Sequence, residues 1–289
     1  MSERGPLLFI VGTPIGNLGD LTLRAVETLR EVEHVAAEDT RRTRALLSHL
    51  GIHGKTLHSL DANASPEKVE RLVERLAAGE RVALVTDAGM PGVSDPGAAL
   101  VRRATEREVP MTVVPGPSAL TAAVALSGLV EGPFLFLGFL PRAGPKRRAL
   151  LERLHASGEA VVLFESPNRT QATLAELAER NPERAACVCR ELTKLYEETT
   201  RGSLRELAGA TRDWRGEIVI VLAPWSAPRP VELDATLLES RIGARLAAGA
   251  SVRTVADELL AESGLPRREL YARVLREQER RAHPGASER

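Results

Sequence analysis

Leu84-Val85-Thr86-Asp87-Ala88-Gly89-Met90-Pro91-Gly92-Val93-Ser94-Asp95-Pro96-Gly97 is a short strand that runs out into a long, stiffened loop. Val82, Leu84 and Val85 form the kind of apolar run that fills the middle of a parallel sheet, and the run stops at Thr86-Asp87. In open α/β sheets, ligands bind just beyond such carboxyl ends. Gly89, Gly92 and Gly97 permit backbone angles and close approaches that side chains forbid, while Pro91 and Pro96 fix the path between them. A rigid shelf of exposed amides and carbonyls is expected. Asp95 is expected to cap a following helix with Pro96 at its first position. Asp87 is the acid held at the strand tip. Taken alone, the stretch also reads as an ordinary turn with a capping aspartate, so its neighbours decide.

Upstream, Leu7 to Val11 reads as a first buried strand, followed by Gly12-Thr13-Pro14-Ile15-Gly16-Asn17-Leu18-Gly19. The glycine spacing differs from the dinucleotide fingerprint and argues against a nicotinamide or flavin enzyme. Asp20 is expected to cap a helix carrying Leu21, Ala25, Leu29 and Val32 on one face. His34 to Ala37 makes a short strand ending in Glu38-Asp39-Thr40-Arg41-Arg42, where either a polar cap with solvated arginines or a functional cluster fits. Ser65-Pro66 opens a helix closed by Gly79. Downstream, a helix over Ala98 to Arg107 precedes the strand Met111 to Val114, which ends in Pro115-Gly116-Pro117-Ser118. Ser118 can cap the apolar helix Ala119 to Leu126 and leave its first amides facing a ligand. This alternation predicts a mostly parallel, helix-covered sheet with Gly/Pro loops at three strand ends.

The chain has 289 residues, enough for two or three domains, and a formal charge of zero. Zero charge excludes a globally basic nucleic-acid binder but leaves room for a local basic patch. Cys187 and Cys189 are expected on one strand, pointing to opposite faces, and so to form neither a disulfide nor a metal cluster. A reducing cytoplasm fits. No apolar run approaches membrane-spanning length, and Met1 to Pro6 lacks a signal-peptide core.

In the second half, Phe134 to Leu140 is a buried strand and Pro141-Arg142-Ala143-Gly144-Pro145-Lys146-Arg147-Arg148 a basic loop suited to phosphate contacts, or else a solvated helix start. Ala160 to Phe164 ends in Glu165-Ser166-Pro167-Asn168-Arg169, Ala185 to Val188 leads to Arg190-Glu191-Leu192-Thr193-Lys194, and Glu217 to Leu222 is a β-branched run inside the second sheet. Ser226 to Pro230 reads as a linker. Beyond it, apolar residues at helical spacing outline three short helices resembling a helix-turn-helix, the last carrying Arg267, Arg268, Tyr271, Arg273 and Arg276. Those arginines suit RNA contact or, equally, dimer packing.

The motifs G-T-P-I-G-N-L-G-D, A-E-D-T-R-R-T, D-A-G-M-P-G-V-S-D-P-G, P-G-P-S-A, F-L-G-F-L-P-R and F-E-S-P-N-R together resemble the tetrapyrrole-methylase superfamily, and within it the bacterial enzymes that methylate a ribose of small-subunit ribosomal RNA. Thr86 stands where that group has serine, a departure that keeps the hydroxyl. The resemblance implies two α/β domains, over 1–120 and 121–225, with a cofactor cleft between them, and a helical extension over 232–280. It implies S-adenosylmethionine bound near Pro14, Asp87, Ala88, Gly89, Val93, Ser118, Ala119 and Ile218. It also implies a homodimer acting on a cytidine ribose of 16S ribosomal RNA in the small subunit. Arg41, Arg42, Arg142, Lys146, Arg147, Arg148, Arg267 and Arg268 are the candidate RNA contacts. A hydroxyl nucleophile gains from an acid–base partner, for which Glu38, Asp39, Glu165 and Glu191 are candidates; Glu38 is preferred, with Glu165 second, because Asp39 is better explained as a cap. No metal is required. The alternatives are a tetrapyrrole methylase and a non-catalytic RNA-binding assembly factor.

Overall fold

The computed structural model describes residues 5, 7–61, 64–95, 97–210, 212–225, 235–263 and 265–282. Its first half alternates strand and helix: β1 (Leu8–Val11), α1 (Leu23–Glu31), β2 (His34–Ala37), α2 (Thr40–His49), β3 (Thr56–Ser59), α3 (Pro66–Ala77), β4 (Val82–Val85), α4 (Ala98–Glu106) and β5 (Met111–Val114). All five strands run parallel in the order β3-β2-β4-β1-β5, as the alternation leads one to expect. Period-two alternation divides their side chains between two faces. Leu8, Val82 and Leu84 pack with Leu72, Leu76 and Leu100 of α3 and α4, while Phe9, Val11, Ala83 and Val85 pack with Leu29 and Leu47 of α1 and α2. With this strand order, the chain leaves β1 toward β2 and leaves β4 toward β5, in opposite directions along the sheet. Right-handed crossovers then put the two connections on opposite faces, and a crevice opens at the carboxyl ends of β1 and β4.

Two caps differ from expectation. Thr22 rather than Asp20 caps α1, its hydroxyl accepting from the Ala25 amide at 3.1 Å, because Leu18–Asp20 closes a separate 3-10 turn and Leu21 is extended. Asp95 folds back on its own loop instead of capping α4: one oxygen accepts from the Gly92 and Val93 amides at 2.5 and 3.0 Å, the other from Gly97 at 2.8 Å. The helix starts after Gly97, and Pro96 lies outside the described residues.

The second half comprises α5 (Ala119–Ser127), β6 (Phe134–Phe139), α6 (Pro145–Ala156), β7 (Ala160–Glu165), α7 (Pro167–Arg180), β8 (Ala185–Arg190), β9 (Glu198–Ser203), α8 (Leu204–Gly209) and β10 (Ile218–Leu222). The sheet order is β6-β7-β10-β8-β9, with only β6 and β7 parallel. One face packs on α6, α7 and α8 through Leu154, Leu174 and Leu207. The other face, with Val162, Cys187, Cys189 and Val219, packs on Ala123 of α5. A boundary at 120/121 therefore falls inside a helix that starts at the first sheet's loop and covers the second sheet.

Cys187 and Cys189 point to the same face, not opposite ones, since residues two apart on a strand share a side. Their sulfurs lie 3.7 Å apart as free thiols. Arg184 is the largest fully buried side chain; it donates to the carbonyls of Ala223 and Glu159, both at 2.8 Å, and of Leu154 at 3.5 Å. Burial pushes its pKa down to about 10.

The chain divides into two compact units, Met1–Trp225 and Ser226–Arg289. Both sheets belong to the first. In the second, α9 (Ala235–Ala247), α10 (Val252–Ser263) and α11 (Arg267–Ala282) enclose Leu238, Ile242, Val255, Leu259, Leu270 and Val274. The three expected helices are thus present, while the expected linker at Ser226 to Pro230 lies outside the described residues.

Candidate functional site

Three loops meet at the crevice, and glycines let them touch. Thr13 and Gly89 form an antiparallel bridge, with amide-to-carbonyl distances of 2.9 and 3.1 Å, and the Thr13 hydroxyl donates to the Thr86 carbonyl at 3.0 Å. A Cβ on Gly12 would stand 2.7 Å from Gly116 Cα and 2.6 Å from Met90 Sδ, so backbone lies against backbone. Gly89 adopts φ +89°, which turns the chain at the strand tip where a side chain would be strained.

Around this knot lies a cleft of about 370 Å³, within the roughly 300–1,000 Å³ usual for small-molecule sites. The first sheet contributes Glu38, Thr86 to Met90, Val93, Ser118 and Ala119; the second contributes Phe139, Phe164, Glu165 and Gly216 to Val219. Of the residues expected to hold the cofactor, Asp87, Ala88, Gly89, Val93, Ser118, Ala119 and Ile218 line this cleft. Pro14 lines an adjoining cavity of about 400 Å³ instead. Ser118 stands at the start of α5 without a side-chain cap bond.

Glu38 accepts from the Thr86 hydroxyl at 2.7 Å and from the Asp87 amide at 3.4 Å, a hydrogen bond that the threonine-for-serine departure preserves. Its other oxygen has no partner among the described residues. Asp87 accepts from the Asp39 amide at 3.0 Å and stands 3.4 Å from Arg42. Burial raises the Asp87 pKa above the usual carboxylate range, and the neighbouring Glu38 charge adds to this against the Asp39 amide and Arg42. Asp39 accepts from the amide and guanidinium of Arg41 and is held down at about 2; it is a helix cap.

Glu165 sits in the cleft wall, but its carboxylate is committed. It is 1 % exposed and accepts from the Ser166 amide at 2.7 Å, the Thr173 hydroxyl at 2.8 Å and Arg169 at 2.5 Å. Arg169 continues to the Leu140 carbonyl at 2.9 Å. Arg147 joins the same network through Thr173, Glu176 and the Pro141 carbonyl, and only 13 % of its side chain is exposed. This network ties the end of β6 to the end of β7 and holds Phe139 and Phe164 in the wall, with ring centroids 5.5 Å apart. The geometry makes Glu165 and Arg147 braces.

The expected basic loop is also part helix: α6 begins at Pro145, so Lys146, Arg147 and Arg148 lie in its first turn. Proline at that position is preorganised for the first turn, which explains the difference. Arg142, Lys146 and Arg148 are exposed. Of the remaining candidates, Arg41 pairs with Asp39 and Arg267 pairs with Asp257 at 2.6 Å, whereas Arg268 has no partner among the described residues.

Sequence reasoning noted Glu191 and Lys194 without seeing their arrangement. Glu191 Oε1 receives Lys194 Nζ and the Glu217 amide, each at 2.9 Å. Burial alone would raise its pKa; these donors outweigh that and leave it lowered. Gly216 makes room, since a Cβ there would stand 2.2 Å from Glu191 Oε1. Glu191 and Thr193 have φ of +51° and +66°, and no glycine marked the turn in advance. Among the described residues, no group of three or more His, Cys, Asp or Glu could hold a metal ion.

A family model described as Tetrapyrrole (Corrin/Porphyrin) Methylases matches residues 7–208. The chain belongs to that family. The methylase family and the α/β fold expected from the motifs are thereby borne out. A Thermotoga maritima protein named Ribosomal RNA small subunit methyltransferase I is 45 % identical over 218 residues, 75 % of this chain and 97 % of that protein. A Mesorhizobium japonicum protein of the same name is 42 % identical over 276 residues, 93 % of this chain and 92 % of its own. Among solved structures, the Thermus thermophilus uroporphyrin-III C-methyl transferase complexed with S-adenyl homocysteine superimposes with a TM-score of 0.53 at 21 % identity, over 75 % of this chain and 96 % of that one. That likeness concerns the fold.

Proposed function

We propose that this chain transfers the methyl group of S-adenosylmethionine to the 2'-oxygen of a cytidine ribose in the decoding region of 16S ribosomal RNA, acting on the small subunit as a cytoplasmic homodimer. The observation that carries the reading is the backbone-walled cleft at the crevice of β1 and β4 in a chain of this family. The acceptor follows the relatives' shared name, which holds over 93 % of the chain in the Mesorhizobium protein. No helix among the described residues is long and apolar enough to cross a membrane.

The residues present fit the donor. Val93, Phe139, Ile218 and Val219 offer an apolar surface for a purine ring, the backbone of Ala88 offers hydrogen-bonding groups beside the Thr13–Gly89 bridge, and Glu38 and Asp87 offer carboxylates to a cation. When bound, the donor supplies an electrophilic methyl carbon: the ribose oxygen bonds to it as the sulfur–carbon bond breaks, the electron pair returns to sulfur, and the hydroxyl proton passes to a carboxylate or water. The protein's part is alignment, since holding the reactants in line supplies much of the rate. The joined loops suit that task because the bridge from Thr13 to Gly89 and the close contact of Gly12 with Gly116 tie the parts of the wall to one another.

The test supplies radiolabelled S-adenosylmethionine with unmethylated small subunits and, separately, with uroporphyrinogen. Label in the RNA alone is the expected result. Label in the tetrapyrrole alone would replace this reading with that of a small-molecule methylase, and no label with no cofactor binding would leave a silent assembly factor.

A further inference from the structure

We propose that the cavity adjoining the cofactor cleft seats the acceptor nucleotide, with Lys194 and Arg42 holding its phosphates and Asp87 facing its ribose; this rests on the RNA-methylating reading above. The cavity, about 400 Å³, shares Ile15, Arg42, Thr86, Asp87, Ala88 and Glu217 with the cofactor cleft. Ligands in the two spaces would lie against the same six residues, which brings them to adjoining places, as a transfer between two substrates requires. The remaining lining suits a nucleotide. Pro14, Leu18 and Leu46 form an apolar side for a base taken out of its stack, and His49 offers a ring beside them. Arg42 and Lys194 supply the cations for its phosphates.

Lys194 is set in place by contacts from both sheets' loops. Its stem lies against Gly16, where a Cβ would come within 2.4 Å of Lys194 Cγ. Its ammonium sits 2.9 Å from Glu191 and 3.1 Å from Glu217. The Asn17 amide donates to the Thr193 hydroxyl at 3.1 Å, tying this turn to the loop after β1. Left-handed backbone at non-glycine Glu191 and Thr193 is the local strain that clusters at ligand clamps.

The placement also separates two carboxylates. Asp87 lines both cavities, whereas Glu38 lines the cofactor cleft but not the second cavity. With the ribose in the second cavity, Asp87 is the group positioned to take the hydroxyl proton, and Glu38 orients the Thr86 to Asp87 turn through its bonds to both.

The experiment uses full-length protein, small subunits lacking the modification, and two substitutions. Lys194→Ala should raise the KM for subunits severalfold and reduce the salt slope of subunit binding by about one unit, while calorimetry shows unchanged S-adenosylmethionine affinity. Lys194→Arg should restore the slope. Ala45→Trp, at an exposed position of α2 lining the cavity, should fill it and abolish transfer with cofactor affinity intact. If the unmodified protein methylates subunits and Ala45→Trp does so equally, or Lys194→Ala keeps its KM and salt slope, the assignment is overturned. If the unmodified protein itself fails to methylate subunits, the underlying reading fails instead.

Discussion

Gly12 and Gly116 show how far the site depends on single atoms. Each occupies the space where the other's side chain would be, so Gly12→Ala must force two loops apart or displace Met90. Overpacking of this kind typically costs about 1–3 kcal/mol. The expected outcome is a folded protein, by circular dichroism, that has lost S-adenosylmethionine binding by calorimetry; full affinity would contradict the loop-locking account. Asp87 makes a different prediction. Its raised pKa means that the ionised form is lost, as pH falls, at a higher pH than for an ordinary aspartate. If that ionised carboxylate takes the proton, the transfer rate drops on the acid side through that pKa, and Asp87→Asn lowers kcat by about 10²-fold and removes that acid limb. An unaltered acid limb in the variant would assign the proton to another group. At this scale the sequence was partly legible. Glycine density marked Gly89 because the residue type itself reports a positive φ, but nothing in Glu191 or Thr193 announced theirs.

Among the elements, α6 separates charge from role. Its proline-started first turn carries Lys146, Arg147 and Arg148, yet only Arg147 is drawn inward, to Glu176, Thr173 and the Pro141 carbonyl. Arg147→Ala is therefore expected to destabilise the protein by roughly 1–3 kcal/mol, the penalty for stranding buried polar partners, as read by urea unfolding. Arg142, Lys146 and Arg148 changed together to Ala should leave unfolding alone and flatten the salt dependence of subunit binding. The reverse pattern would return Arg147 to the RNA surface. Strand identity and the parallel first sheet followed from apolar runs such as Val82 to Val85, since burial on both faces leaves its mark on composition. Ladder partners did not, because β10 pairs antiparallel with both β7 and β8 through contacts that no local pattern encodes. The Cys187 and Cys189 geometry was legible, and the expectation of opposite faces misapplied the strand period.

For the whole molecule, both sheets and both cavities lie within Met1–Trp225. A protein ending at Trp225 is accordingly expected to fold and to bind S-adenosylmethionine with unchanged affinity. If the terminal arginines dock RNA, it methylates subunits poorly; Arg268 and Arg267, the latter paired with Asp257 at the surface, are both exposed there. Equal methylation by the truncated chain would remove the RNA-docking role from those helices. The central claim, methyl transfer to a ribose oxygen of small-subunit RNA, is tested most directly by nucleoside mass spectrometry and alkaline hydrolysis of RNA treated with the protein and S-adenosylmethionine. The account predicts one added methyl on a cytidine sugar and resistance of the adjoining phosphodiester to alkali, because cleavage there needs a free 2'-hydroxyl. A methyl on a base, with the backbone still alkali-labile, would contradict it.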